Sequence, residues 1–267
     1  MYAFKFHRPA TVRQAAGLLG RLEEAKLLAG GHTLIPTMKL RLAGPPHLVD
    51  LSKVEGLTGI ELKTRSLVIG AMTPHVEVAT STVVRDSIPA LAGLAGQIGD
   101  PAVRHRGTIG GSIANNDPNA DYPAACLGLG ATIITNKRRI VADEFFKGLF
   151  ETALEGDEIV TKVAFPIPKR AGYMKFANPA SRYALVGVFV SKRGSEIRVA
   201  VTGAGANGVF RVPAFEEALK ARFSPKVLEG LGVPEEGMAS DIHGSAEYRA
   251  HLVGVMARRA VAAAIGK

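Results

Sequence analysis

The chain has 267 residues, more than a typical single domain, and its 47% hydrophobic content is enough for a substantial core. A net charge of +9 is compatible with nucleic acid, an acidic partner or an anionic cofactor. The Lys and Arg residues are spread along the chain, however, Trp is absent and aromatics make up only 6%, which argues against a base-stacking surface. The single cysteine, Cys126, excludes an intramolecular disulfide and a cysteine-rich metal site, and reads as a small core residue.

No uncharged apolar run reaches the roughly 18 residues of a membrane span. The opening MYAFKFHRPATVRQAAGLLG lacks a signal-peptide layout. A soluble, cytoplasmic protein is therefore expected.

In chain order, Val12, Ala15, Ala16, Leu18, Leu19 and Leu22 fall at helical spacing, predicting a helix over 11–24 with Thr11 as N-cap. A short buried strand at 25–29 runs into Gly30-Gly31-His32-Thr33, and a helix is predicted from Leu34 through Leu42, with Pro36 in its first turn. Residues 47–51 read as a strand, 60–62 and 67–69 as a hairpin, and 74–79 and 88–98 as helices. Strands at 131–135 and around 159–165 follow.

Pro166-Ile167-Pro168-Lys169-Arg170 is the best linker. Beyond it, strands are predicted at 173–176, 184–190 and 197–202, the last two joined by Lys192-Arg193-Gly194-Ser195. Helices are predicted at 213–222, 225–231 and 245–265. The last places Leu252, Val255, Met256 and Ala263 on one apolar face and Arg249, Arg258 and Lys267 toward water.

Special backbone residues concentrate at 100–131. Thr108-Ile109-Gly110-Gly111-Ser112 reads as a loop offering N–H groups and hydroxyls to an anion, and two carboxylates follow, Asp117 and Asp121. The earlier Gly30-Gly31 pair lies between a strand and a helix start, an arrangement suited to phosphate. Neither segment matches the G-x-G-x-x-G or Walker A patterns. Together they point to a diphosphate held between two loops, with Thr33, Thr108 and Ser112 supplying hydroxyls. His32 reads either as a ligand-facing donor or as an incidental loop residue. Asp121 reads as an acceptor for a sugar-chain hydroxyl, as the N-cap of a helix starting at Tyr122, or as both.

The segments AGGHTLIP (29–36), LVIGAMTPHVEV (67–78), RHRGTIGGSIANNDPNADYPAACLGLGA (104–131), YMKFANPASRYALVGVFV (173–190) and SAEYRAHLVGVMARRA (245–260) resemble, in order, the flavin-binding medium subunit of molybdenum hydroxylases. That family includes carbon monoxide dehydrogenase, xanthine dehydrogenase and aldehyde oxidoreductase. The resemblance implies an α+β fold: a two-subdomain FAD-binding domain of the vanillyl-alcohol-oxidase (PCMH) type at 1–166, divided near residue 56, then a small antiparallel-sheet-plus-helices domain at 171–267.

It implies FAD contacts from Ala29, Gly30, Gly31, His32 and Thr33, and from Thr108, Ile109, Gly110, Gly111 and Ser112. It carries the acidic ligand onto Asp121, a flavin-proximal lysine onto Lys175 and a ring-side aromatic onto Tyr183. Ser112 stands where the family often has asparagine or aspartate. No histidine or cysteine is placed for covalent attachment, so non-covalent FAD is expected.

The function implied is electron transfer. Electrons from a molybdopterin centre in a large partner pass through [2Fe–2S] clusters of a small partner to this FAD, and then to an external acceptor, in a dimer of heterotrimers. A self-sufficient flavin-dependent oxidase is the alternative; a nucleic-acid binder is the non-enzymatic rival.

Overall fold

The computed structural model describes residues 1–266; Lys267, expected to face water, lies outside the described residues. The chain opens with alternating strands and helices: β1 (Lys5–His7), α1 (Val12–Leu19), β2 (Lys26–Leu28), α2 (Leu34–Lys39) and β3 (His47–Asp50). The strands form a parallel sheet in the order β1-β3-β2, as strand–helix–strand connections require.

Thr11 caps α1 through a reciprocal box with Gln14. This helix stops at Leu19, short of the expected residue 24, because Gly20 closes it and Glu24 turns left-handed at φ 52°. Arg41, at φ 61°, likewise ends α2 before Leu42. The strand expected to be buried, β2, has Leu27 and Leu28 only half-buried, since they border a groove described below.

The middle of the chain holds β4 (Ile60–Lys63), β5 (Ser66–Gly70), α3 (His75–Thr80), α4 (Thr82–Ser87), α5 (Pro89–Gly96), α6 (Pro101–Arg106), α7 (Ile109–Asn115) and α8 (Tyr122–Leu129). After these come β6 (Thr132–Thr135), β7 (Arg139–Val141), α9 (Ala142–Phe145), β8 (Phe146–Gly148), β9 (Glu151–Thr152) and β10 (Val160–Pro166). An antiparallel sheet runs β4-β5-β10-β6-β7, and β8 pairs with β9. The expected 108–112 loop is instead the start of α7, with Thr108 as its N-cap.

The last part comprises β11 (Arg170–Ala177), β12 (Ala184–Arg193), β13 (Glu196–Thr202), β14 (Phe210–Arg211), α10 (Pro213–Ala221) and α11 (Ala246–Ala264). Its antiparallel sheet runs β11-β12-β13-β14, with Gly194 at φ 61° in the hairpin turn. The helix expected at 225–231 is one 3-10 turn, Pro225–Leu228, followed by a left-handed Gly230.

On α11, Ala263 is exposed rather than core-facing. Arg249, expected in water, is 2% exposed. Its guanidinium donates to the Leu185 and Gly203 carbonyls, at 2.9 and 2.7 Å, and pairs with Asp241 at 2.8 Å. Loose strand-end carbonyls need buried donors, which helical periodicity does not reveal.

Helix α8 joins the middle and last parts. All of its residues are buried, and Gly128 lacks the Cβ that would stand 2.8 Å from the Phe189 ring. Phe189, Ala200 and Tyr173 from the last sheet therefore share one core with Leu127, Ile133 and Phe165.

Candidate functional site

Gly30 and the end of α6 touch. A Cβ on Gly30 would fall 2.1 Å from the Arg106 carbonyl oxygen, so only glycine lets the β2–α2 segment lie against the α6–α7 segment. Gly31 takes φ 76°, the left-handed region that favours glycine. The N–H groups of Gly30, Gly31, His32 and Thr33 have no protein acceptor among the described residues, leaving a row of free donors. Such a row is an anion-binding concavity.

Gly110 and Gly111 work differently from the expected nest. Both sit in the first turn of α7, and neither has positive φ. The Ile109, Gly110, Gly111 and Ser112 N–H groups donate to Thr73 O, Ala71 O, Thr108 Oγ1 and Thr108 O respectively, at 3.2, 2.8, 3.1 and 3.0 Å. A Cβ on Gly110 would meet the Ala71 Cβ at 2.5 Å. The second glycine pair therefore brings α7 close to the β5–α3 connection, while the free backbone donors belong to the first segment. Ser112 keeps its hydroxyl free of protein partners among the described residues, on a half-buried surface.

These segments line one groove of about 700 Å³, within the ~300–1,000 Å³ usual for small-molecule and cofactor sites. Ala29, Gly30, Gly31, His32 and Thr33 form one wall. Thr108, Gly110, Gly111 and Ser112 form another, and Asp121 and Tyr183 border it. Ile109 does not line it: the side chain is fully buried in the core.

Lys175 does not line it either, with a side chain only 2% exposed. Its Nζ lies 2.9 Å from Asp121 Oδ1 and donates to the Gln97 and Arg182 carbonyls at 2.9 Å each. Asp121 makes no helix-cap bond; its carboxylate accepts from Lys175 and from the Tyr173 hydroxyl. Burial pushes the Asp121 carboxyl above the ordinary carboxylate range, against the opposing pull of Lys175. Asp121 thus stands at the N-cap position of a helix starting at Tyr122, as expected, but its side chain does not cap it: the buried ammonium holds its oxygens instead of the backbone N–H groups of α8.

The groove also holds residues that glycine patterns do not flag, among them Met72, His75, Ile98, Val103, Asn115 and Asp117. Met72 and His75 lie inside the LVIGAMTPHVEV segment, which was the only sequence signal for them. His75 is 4% exposed, its Nδ1 has no partner, and Gly107 is small enough to sit against its Nε2. Burial, with His32 and Arg104 nearby, pushes its pKa down to about 4, so it is neutral at physiological pH. Burial also raises Asp117. A second cleft, of about 830 Å³ between Leu62, Asp86, Arg170 and Ala264, contains none of the expected residues.

Free amides, unpartnered hydroxyls and apolar flanks in one groove suit a ligand with an anionic middle and an apolar ring. A diphosphate-bearing flavin nucleotide has that chemistry, and the cradle opposite Gly30 and Gly31 leaves room for it.

Comparison with known proteins points the same way. Residues 2–168 match the family model described as the FAD binding domain in molybdopterin dehydrogenase. The chain is 35% identical to the carbon monoxide dehydrogenase medium chain of Hydrogenophaga pseudoflava, over 98% of this chain and 96% of that one. It is 36% identical to the nicotine 6-hydroxylase medium subunit of Paenarthrobacter nicotinovorans, over 97% and 96%. Among solved structures, reconstituted CO dehydrogenase from Oligotropha carboxidovorans superposes with a TM-score of 0.89 at 34% identity, over 98% and 97% of the two chains.

Proposed function

The chain belongs to the FAD-binding family of molybdopterin dehydrogenases, and on that premise we propose how its residues serve an FAD-dependent electron-transfer subunit of a molybdenum hydroxylase complex. The observation that carries this reading is the row of free amides at Gly30 to Thr33, held against the α6–α7 segment by the missing Gly30 side chain.

In this reading the Gly30–Thr33 amides bind the diphosphate. Ser112 and Thr108 add hydroxyl contacts from the other wall, which Gly110 and Gly111 hold in place by close packing, and Ala29 lines the wall beside the free amides. His32 borders the anion from the rim. Asp121, Lys175 and Tyr183 define the end that would face the ring. Ile109 supports that wall from the core behind it. The bound FAD supplies the redox chemistry, accepting electrons from a partner's [2Fe–2S] clusters and passing them to an external acceptor. No residue of this chain acts as a general base; its work is binding, orientation and exclusion of water.

The same reading divides the chain into a PCMH-type FAD-binding region at 1–166, with subdomains 1–56 and 57–166, and a C-terminal domain at 171–267. It places the chain with a small iron–sulfur subunit and a large molybdopterin subunit as a dimer of heterotrimers in the cytoplasm. A lone cysteine supports the need for a separate iron–sulfur subunit. No helix among the described residues is long and apolar enough to cross a membrane.

The test mixes the FAD-loaded chain with a dithionite-reduced [2Fe–2S] partner subunit and, separately, with a panel of aldehydes, alcohols and N-heterocycles. Bleaching of the visible flavin band is expected only with the reduced partner. Bleaching by an organic substrate in the chain alone would favour the self-sufficient oxidase instead.

A further inference from the structure

The loop from Asn178 to Tyr183, between β11 and β12, forms the wall of the groove at Ser181, Arg182 and Tyr183. It is tightly constructed. Asn178 Oδ1 accepts from the Ala180 and Ser181 amides, at 2.9 and 3.1 Å, and Asn178 N donates to Tyr183 O at 2.8 Å. Arg182 then takes φ 61°, a left-handed conformation that is unfavourable for a residue with a side chain and persists only where neighbours enforce it.

The neighbour is Lys175. Its ammonium has three protons, and three acceptors surround it: the Asp121 carboxylate at 2.9 Å, Gln97 O at 2.9 Å and Arg182 O at 2.9 Å. Each acceptor belongs to a different element. Asp121 precedes α8, Gln97 closes α5 immediately before the groove residues Ile98 and Gly99, and Arg182 immediately precedes Tyr183. With its protons engaged and its side chain 2% exposed, Lys175 has no proton left for a ligand.

We propose that Lys175 is a positioning residue: a buried three-way clamp that joins the end of α5 to the 178–183 loop, holds Arg182 left-handed and thereby sets Tyr183 at the mouth of the groove. Tyr183 is 46% exposed and has no side-chain hydrogen bond of its own among the described residues, so its placement depends on the backbone beneath it. That the placement matters to a flavin ring rests on the proposed function; the clamp itself does not.

Two readouts test it with Lys175→Met. Arg182 is an exposed tryptic site, so cleavage after it in the ligand-free chain reports how often the loop opens. Loss of a charged hydrogen bond should accelerate that cleavage on the order of tenfold. In FAD-loaded protein, the flavin absorption and midpoint potential should shift. With Tyr183→Ala already present, Lys175→Met should add no further shift.

If the single variant does not fold because Asp121 is left unpaired, Lys175→Met combined with Asp121→Asn removes both charges and is tested in the same way. Unchanged tryptic cleavage at Arg182 would overturn the proposal, as would flavin shifts that add fully in the Tyr183→Ala background. Faster cleavage at Arg182 in the variant, together with a natural chain that takes up no FAD, would contradict the proposed function and leave the clamp standing.

Discussion

Gly30 and Gly110 stand where a Cβ would collide with the chain opposite, at 2.1 Å from Arg106 O and 2.5 Å from Ala71 Cβ. The glycine pairs were legible as special positions, but not what each one does. The first leaves amides free, whereas the second serves close packing, and that difference depends on partners distant in sequence. The buried acceptor sets of Lys175, singled out only by family resemblance, and of Arg249 were illegible for the same reason, since a lone cation in a strand or helix gives no sign of them.

His75 makes the stability of the fold depend on pH. Its folded pKa is about 4, against 6.5 for a free imidazole, so between those values the unfolded chain binds the proton that the folded chain refuses. Its contribution to stability is present above pH 6.5 and is lost as pH falls toward 4. Urea melts should lose about 2 kcal/mol between pH 7 and pH 5 through this residue. His75→Gln should remove that part of the loss; an equal pH slope in both proteins would contradict the assignment.

At the scale of elements, the local signals read well where capping and turn chemistry decide the outcome. Thr11 with Gln14 caps α1, and Gly194 makes the β12–β13 turn. They read poorly at α6 and α7: α6 is only six residues long, α7 carries two adjacent glycines, which are intrinsically poor helix formers, and Asp100 and Thr108 cap the two helices. Thr108 is therefore a sensitive point. It is 4% exposed, and its Oγ1 accepts the Gly111 N–H at 3.1 Å. Thr108→Ala should cost about 1 kcal/mol, and Thr108→Ser should restore most of it by keeping the cap oxygen. Chemical denaturation of the three proteins checks this, and equal loss in both variants would mean that the methyl group, not the cap, is what matters.

For the whole molecule, α8 packs against both the middle and the C-terminal sheet. Ser191 Oγ donates to Gly128 O at 2.6 Å, and Thr202 Oγ1 to Ala120 O at 2.6 Å. Chain length and the Pro-rich linker pointed to two parts, and the small residues of α8 did not disclose how closely those parts pack. That packing positions the 178–183 loop over a groove built mainly from the first part, so the groove is complete only in the full chain.

In the proposed function the Gly30–Thr33 amides and the facing α7 wall hold FAD. The most direct measurement titrates FAD into the purified full chain and into Gly30→Ala, following the visible flavin spectrum and the pigment released by acid. Uptake approaching one FAD per chain is expected in the natural sequence, and loss of uptake in a folded Gly30→Ala, whose new methyl would force the two segments apart. A folded natural chain that takes up no FAD, or a Gly30→Ala variant that binds it as tightly, would rule out this site for FAD.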